Sequence, residues 1–247
     1  MSNLFVVGLG PGQIGGMTIS ARDVILSADA IVGYTAYAGI IKENFSEEEL
    51  AGKNIISTGM RQESERCKIA LELAAEGKNT AVVCSGDSGV YGMAGLIYEL
   101  SSGYPSVNIE IVPGVTAALS CGAILGAPLG HDFAVISLSD LLTPWEFIKT
   151  RLNKCSEADM AICLYNPSSH KRSDYLSRAC SIMLRSKSED TVCGYVRNAG
   201  REGEEWGILD LAGLSDFKAD MFTTVFVGNS MTKIINGKMI TPRGYRF

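Results

Sequence analysis

A chain of 247 residues exceeds the usual span of one compact domain, so two lobes or one large one are expected, with a full hydrophobic core. A net charge of -5 and a pI near 5.2 supply no global field for polyanions, which argues against nucleic acid. Seven cysteines, odd in number and never in C-x-x-C spacing, read as reduced thiols of a cytoplasmic protein, and with two histidines they make no metal-site pattern. A leader pattern and an apolar run of about 18 residues are both missing, so neither secretion nor a membrane span is expected.

In chain order, β-branched runs at Leu4–Val7, Ala30–Val32, Asn54–Ser57, Thr80–Cys84 and Val107–Val112 alternate with helical patterns. That alternation predicts βαβ units and a mostly parallel sheet. The segment Glu63–Glu76 carries Cys67, Ala70, Leu71 and Ala74 at helical spacing and ends at Gly77, which predicts a helix. Pro113 and Gly114 then break the chain, and Thr116 precedes a helix of small residues, so the expected domains are 1–113 and 114–247. Strands follow at Phe133–Leu138, Met160–Tyr165, Thr191–Val196, Glu205–Leu209 and Thr223–Val227, with helices near Pro144–Asn153 and Ser173–Arg185. Thr143, Pro144 and Glu146 stand in capping-box order, and the hairpin-like spacing of "GREGEEWGILDL" predicts that the second sheet is mixed.

Gly10, Gly12 and Gly15 spell G-x-G-x-x-G after the first strand, the arrangement of a dinucleotide-binding turn and hence of an NAD-dependent oxidoreductase. Two features oppose it. Pro11 removes a backbone donor, and the second strand ends in Gly33-Tyr34 with no carboxylate for a ribose. A second glycine-rich turn, "SGDSGVYGMAG", follows the Thr80–Cys84 strand, and two such turns at neighbouring strand ends mark a ligand-binding edge. No G-x-x-x-x-G-K-[ST] is present, so a P-loop is excluded.

The "GLGPG" start, the "SGDSGVYGMAG" turn, the "VPGVTAA" link, the "LYNPSS" strand end and the "VRNAGR" loop occur together in order across the chain. In this the sequence resembles the tetrapyrrole (corrin/porphyrin) methylase family. The stretch "GAPLGHDFAVISLSDLLTPW" is similar to the members that methylate C17 of a precorrin-3B or cobalt-factor III type macrocycle and contract the ring in cobalamin biosynthesis. A sibling acting on another macrocycle carbon and a non-catalytic sensor of the same ligands are the rivals. The resemblance implies two α/β lobes with a cofactor cleft between them, S-adenosylmethionine as methyl donor, a homodimer, and a tetrapyrrole substrate that brings any cobalt already chelated.

Carried over by position, the resemblance assigns the donor to Pro11, Gly86, Asp87, Ser88, Val90, Tyr91, Thr116, Ala117, Tyr165, Asn198, Thr223 and Thr224. Many relatives have proline where Ser88 stands. Methyl transfer from a sulfonium needs alignment and exclusion of water rather than a nucleophile or a metal. Ring contraction needs a proton moved, for which His131 and Asp132 are the first candidates and Ser137, Ser139 and Asp140 the alternatives. Substrate carboxylates call for local cations, expected from Arg61, Lys171, Arg172 and Arg197, with Arg201, Arg243 and Arg246 in similar loop or terminal settings and His170 as a further loop contact.

Overall fold

The computed structural model describes residues 2–169 and 172–246, and its contacts cluster into two units, 1–117 and 118–247. In the first unit the order is β1 (Ser2–Gly8), α1 (Ile19–Ser27), β2 (Ala30–Tyr34), α2 (Thr35–Asn44), α3 (Glu47–Leu50), β3 (Asn54–Thr58), α4 (Glu63–Ala75), β4 (Thr80–Cys84), α5 (Ala94–Leu100) and β5 (Val107–Val112). The five strands form one sheet in the order β3-β2-β4-β1-β5, every pair parallel.

Helices cover both faces, which explains why β4 is buried throughout rather than alternating. Val82 and Cys84 pack with Cys67, Ala70, Leu71 and Ile97 on one face. Ala81 and Val83 pack with Ala21, Ile25, Ile40 and Ile41 on the other. The segment after β5 stays with this unit, because the Gly114 amide donates to the Asp87 carboxylate at 2.9 Å.

The second unit runs α6 (Ala117–Leu125, its first residue shared with the preceding unit), β6 (Gly126–Ala127), β7 (Phe133–Ser137), α7 (Trp145–Glu157), β8 (Ala161–Tyr165), α8 (Tyr175–Met183), β9 (Val192–Arg197), β10 (Glu205–Asp210), α9 (Leu211–Asp216), β11 (Thr223–Val227), β12 (Lys233–Ile235) and β13 (Lys238–Ile240). Its main sheet has the order β10-β9-β11-β8-β7 and is mixed: β7 and β8 are parallel, the other pairs antiparallel. Ile148, Leu152, Leu176, Cys180, Met183 and Leu214 bury one face of this sheet. A buried cation closes its far end: the Lys187 ammonium donates to the carbonyls of Met160 and Gly228 at 3.0 and 2.9 Å and lies 3.5 Å from Asp159.

A second, three-stranded sheet of β12, β13 and β6 lies outside the expectations, since strands of two or three residues carry no readable periodicity. The predicted capping box at α7 does not form. Pro144 is the N-cap and makes no side-chain cap bond, while Glu146 pairs with Lys149 at 3.1 Å. Proline has no N–H for a returning glutamate to accept, so the reciprocal half of the box is impossible there.

Candidate functional site

At the carboxyl ends of β1 and β4 the two glycine turns join through backbone alone. Gly10 N–H donates to the Gly86 carbonyl at 3.0 Å and Gly86 N–H to the Gly10 carbonyl at 2.8 Å, both residues at positive φ, 69° and 67°. A Cβ on Gly114 would sit 2.1 Å from the Gly86 oxygen, and one on Gly8 would sit 2.7 Å from the same atom. Three strand-end turns thus approach at distances only glycine permits.

Asp87 locks them. One carboxylate oxygen accepts from Gly89 N–H at 2.8 Å and the other from Gly114 N–H at 2.9 Å. Ser88, fully buried, donates its hydroxyl to the Val112 carbonyl at 3.4 Å. The side chains of Asp87 and Ser88 therefore hold the edge together. Thr116 and Ala117 lie on the same edge, within 3.8 Å of where a Gly86 Cβ would be. Val90 and Tyr91 are exposed, and Pro11 is half-buried with its ring filling the space that a Gly16 side chain would need.

The dinucleotide alternative finds no support in this geometry. Gly15, the third glycine of the opening motif, faces open space and serves no close approach. Asp29 spends a carboxylate oxygen on the Asn79 amide at 2.9 Å, ahead of β2 rather than at its ribose-facing end. Nor are the buried thiols beside the glycine turn poised as nucleophiles. Burial pushes Cys84, the cysteine nearest the glycine turn, up to about 11 and Cys67 up to about 12, so both stay protonated.

In the second unit, polar side chains gather where the parallel strands β7 and β8 end side by side, with Ser137 in register with Tyr165. Ser137 Oγ accepts from Asn166 Nδ2 at 2.9 Å and from the Ser139 amide at 3.2 Å. Arg172 donates to Ser139 Oγ at 2.6 Å and to Ser169 Oγ at 3.1 Å, and it lies 3.7 Å from Asp140. Asp140 also accepts from the Tyr175 hydroxyl at 2.5 Å, a bond that pushes the phenol's pKa up. Tyr175 in turn packs on Trp145, their ring centres 4.6 Å apart, beneath the Arg178 guanidinium. Tyr165 turns its hydroxyl to the Ala118 amide at 2.6 Å and so satisfies a free donor of the first turn of α6.

The remaining expected residues are dispersed or otherwise employed. Arg197 donates to Glu205 at 2.9 Å and to the Lys218 carbonyl at 2.9 Å and pairs with Asp220 at 3.3 Å. Thr223, buried, donates to Asp220 at 2.7 Å, and Thr224, also buried, bonds the Cys121 thiol. Asn198 sits at a turn with φ 53°. His131 Nδ1 accepts from the Asp132 amide at 2.8 Å and lies 3.5 Å from the Asp132 carboxylate, and both side chains are exposed. Arg61 is exposed at φ 67°, and Arg243 and Arg246 are exposed near the terminus. His170 and Lys171 lie outside the described residues.

Sequence reasoning missed Tyr175 and Asn166. The signal for Tyr175 was its place at the entry to α8, three residues beyond Arg172.

The profile of the tetrapyrrole (corrin/porphyrin) methylases matches residues 3–214. The chain belongs to that family. It is 45% identical over 243 residues to a probable cobalt-factor III C(17)-methyltransferase of Salmonella typhimurium, covering 98% of this chain and 99% of that one. It is 37% identical to a precorrin-3B C(17)-methyltransferase of a Sinorhizobium species, covering 98% and 96%. A crystal structure described as the methyltransferase CobJ superposes with a TM-score of 0.89 at 33% identity, covering 98% of this chain and all of that one. The match extends over both units, so the family assignment rests on the whole architecture and not on the glycine turns alone.

Proposed function

We propose that this methylase transfers a methyl group from S-adenosylmethionine to C17 of a precorrin-3B or cobalt-factor III type macrocycle and contracts the ring, as a cytoplasmic homodimer in cobalamin biosynthesis. The observation that carries the reading is the 45% identity to the Salmonella relative across essentially the full length of both chains. Geometry adds to it. The edge formed by Gly8, Gly10, Gly86 and Gly114 is lined by backbone, which suits a donor recognised by shape and hydrogen bonds rather than by countercharge.

S-adenosylmethionine bound at that edge would supply an electrophilic methyl on a sulfonium. Gly86, Thr116 and Ala117 would hold it with backbone groups, Pro11, Val90 and Tyr91 would border it, and Asp87 and Ser88 would keep the turns in register. Alignment and the exclusion of water are then the protein's tasks in the transfer step. For contraction, His131 and the adjoining Asp132 are the candidate groups to carry the proton, an imidazole beside a carboxylate 3.5 Å away. Asp140 is the alternative carboxylate, held by Tyr175 and beside Arg172. Arg172 and Arg61 would meet the rim carboxylates of the macrocycle.

Two measurements test the reading. Calorimetry should show S-adenosylmethionine bound and NADH not bound. Incubation with donor and macrocycle should give a product heavier by one methyl, and a competent substrate returned unmethylated sinks the proposal.

A further inference from the structure

Arg66 lies in the first turn of α4 and is 3% exposed, yet no carboxylate comes within 4 Å of it among the described residues. Its partners are uncharged: Nε donates to the Thr58 hydroxyl at 2.8 Å, one terminal nitrogen to the Gly59 carbonyl at 2.9 Å, and the other to the Met93 sulfur at 3.5 Å. The Tyr34 ring lies under the guanidinium, its centre 5.9 Å away. Burying a full charge on neutral acceptors is costly, and a structural role alone is met more cheaply by an apolar side chain. What distinguishes the site is its reach. Arg66 fastens the ends of β2 and β3 and the far end of the β4 glycine turn to one another, all at the carboxyl edge of the sheet.

The loop it holds is short and closed from both sides. Gly59 N–H donates to Gln62 Oε1 at 2.6 Å, Gln62 donates onward to Glu65 at 2.8 Å, and Arg66 N–H bonds the Gln62 carbonyl at 2.9 Å. At its apex stand Met60 and Arg61, both exposed, with Arg61 at φ 67°. A left-handed conformation at a non-glycine residue costs about 1 kcal/mol and persists only where its surroundings over-determine it. A cation presented in this way, at the ligand-binding edge of a parallel sheet, has the chemistry to recognise a carboxylate.

We propose that Arg66 is a positioning residue for substrate: its planar fork holds the Thr58–Gln62 loop so that Arg61 meets a rim carboxylate of the macrocycle. The proposal rests on the methyltransferase reading and names how that reading's polyanionic substrate is gripped. Shape rather than charge is what Arg66 contributes, since lysine cannot reach the Thr58 hydroxyl and the Gly59 carbonyl together in one plane.

A double-mutant cycle on the full chain tests it, with steady-state methyl transfer to the macrocycle as readout. Arg61→Ala raises the macrocycle KM about tenfold, the loss of one charge-assisted bond. Arg66→Met raises it to a similar extent with kcat and the donor KM unchanged, adds nothing in the Arg61→Ala background, and is not rescued by Arg66→Lys. Thr58→Val, which removes one acceptor and leaves the guanidinium in place, raises KM about threefold and likewise only when Arg61 is present. This milder variant decides the matter if Arg66→Met does not fold. Effects that multiply with Arg61→Ala, or full rescue by lysine, overturn the positioning role while methyl transfer by the wild-type chain stands. A wild-type chain that methylates no macrocycle overturns the underlying reading and this proposal with it.

Discussion

The two strand-end edges are built by opposite means. In the first unit the ends of β1, β4 and β5 meet through main chain, with glycines at every close approach and the side chains of Asp87 and Ser88 turned inward as ties. In the second unit the ends of β7 and β8 meet through Ser137, Ser139, Asp140, Asn166, Arg172 and Tyr175, side chains that exchange hydrogen bonds and carry charge. A backbone-lined edge offers shape and amide groups, which suits the proposed donor's need for shape and hydrogen bonds more than for countercharge. A side-chain-lined edge offers protons and cations, which methyl transfer does not require and ring contraction and carboxylate recognition do.

That contrast breaks most sharply at Gly114. Gly114→Ala forces a Cβ to 2.1 Å from the Gly86 oxygen, and because backbone lies on both sides the cost is about 3 kcal/mol or more, with donor binding lost alongside. Thermal unfolding and calorimetry read both effects. In the second unit, at the amino end of β7 and so away from the side-chain-lined edge, His131→Ala should slow contraction about 100-fold while donor affinity holds, the size expected for a lost acid–base group. Contracted product formed at the parent rate makes His131 a surface residue.

Asp87→Ala leaves the Gly89 and Gly114 amides without an acceptor and should destabilise by about 2 kcal/mol, weakening donor binding in step with the loosened turns. Urea unfolding followed in parallel with donor titration separates this from a direct contact, since a direct contact lowers affinity without moving the midpoint.

The clamp at Lys187 predicts an acid dependence confined to the second unit. Burial pushes the Asp159 pKa up, but bonds from the Ser230 hydroxyl and amide and the charge of Lys187 bring it below its ordinary value on balance. Its folded-state pKa is depressed, so its contribution is whole above the unfolded value of about 3.9 and is lost as pH falls through the folded one. The difference in urea midpoint between wild type and Asp159→Asn should therefore shrink below about pH 4. A difference unchanged down to pH 2 would contradict the ion pair. Smallest of all, Gly15→Ala meets nothing within 4 Å and should shift stability by no more than about 0.5 kcal/mol, with donor affinity intact. A large loss there would revive the dinucleotide turn.

Legibility in the sequence followed the same division. β4 was read to the residue as Thr80–Cys84 because four apolar residues after a threonine, between turn signals, admit few alternatives, and α4 to within one residue because its apolar spacing ends at Gly77. The short strands β6, β12 and β13 left no periodic trace. Gly86 and Asp87 were legible because a glycine turn announces itself in sequence. Tyr175 and Arg66 were not, since what matters in each is a partner distant along the chain: Asp140 is 35 residues from Tyr175, and Met93 is 27 residues from Arg66. The pairing of Arg197 with Asp220 was illegible for the same reason, as the two lie far apart along the chain.

The central claim is methyl transfer to one carbon of a contracting macrocycle. Donor carrying a ¹³C methyl, incubated with the chain and a precorrin-3B or cobalt-factor III type substrate, gives a product whose label is located by NMR. A single labelled methyl on C17 of a ring-contracted macrocycle is the predicted result, and a label on any other carbon, or none transferred, contradicts it.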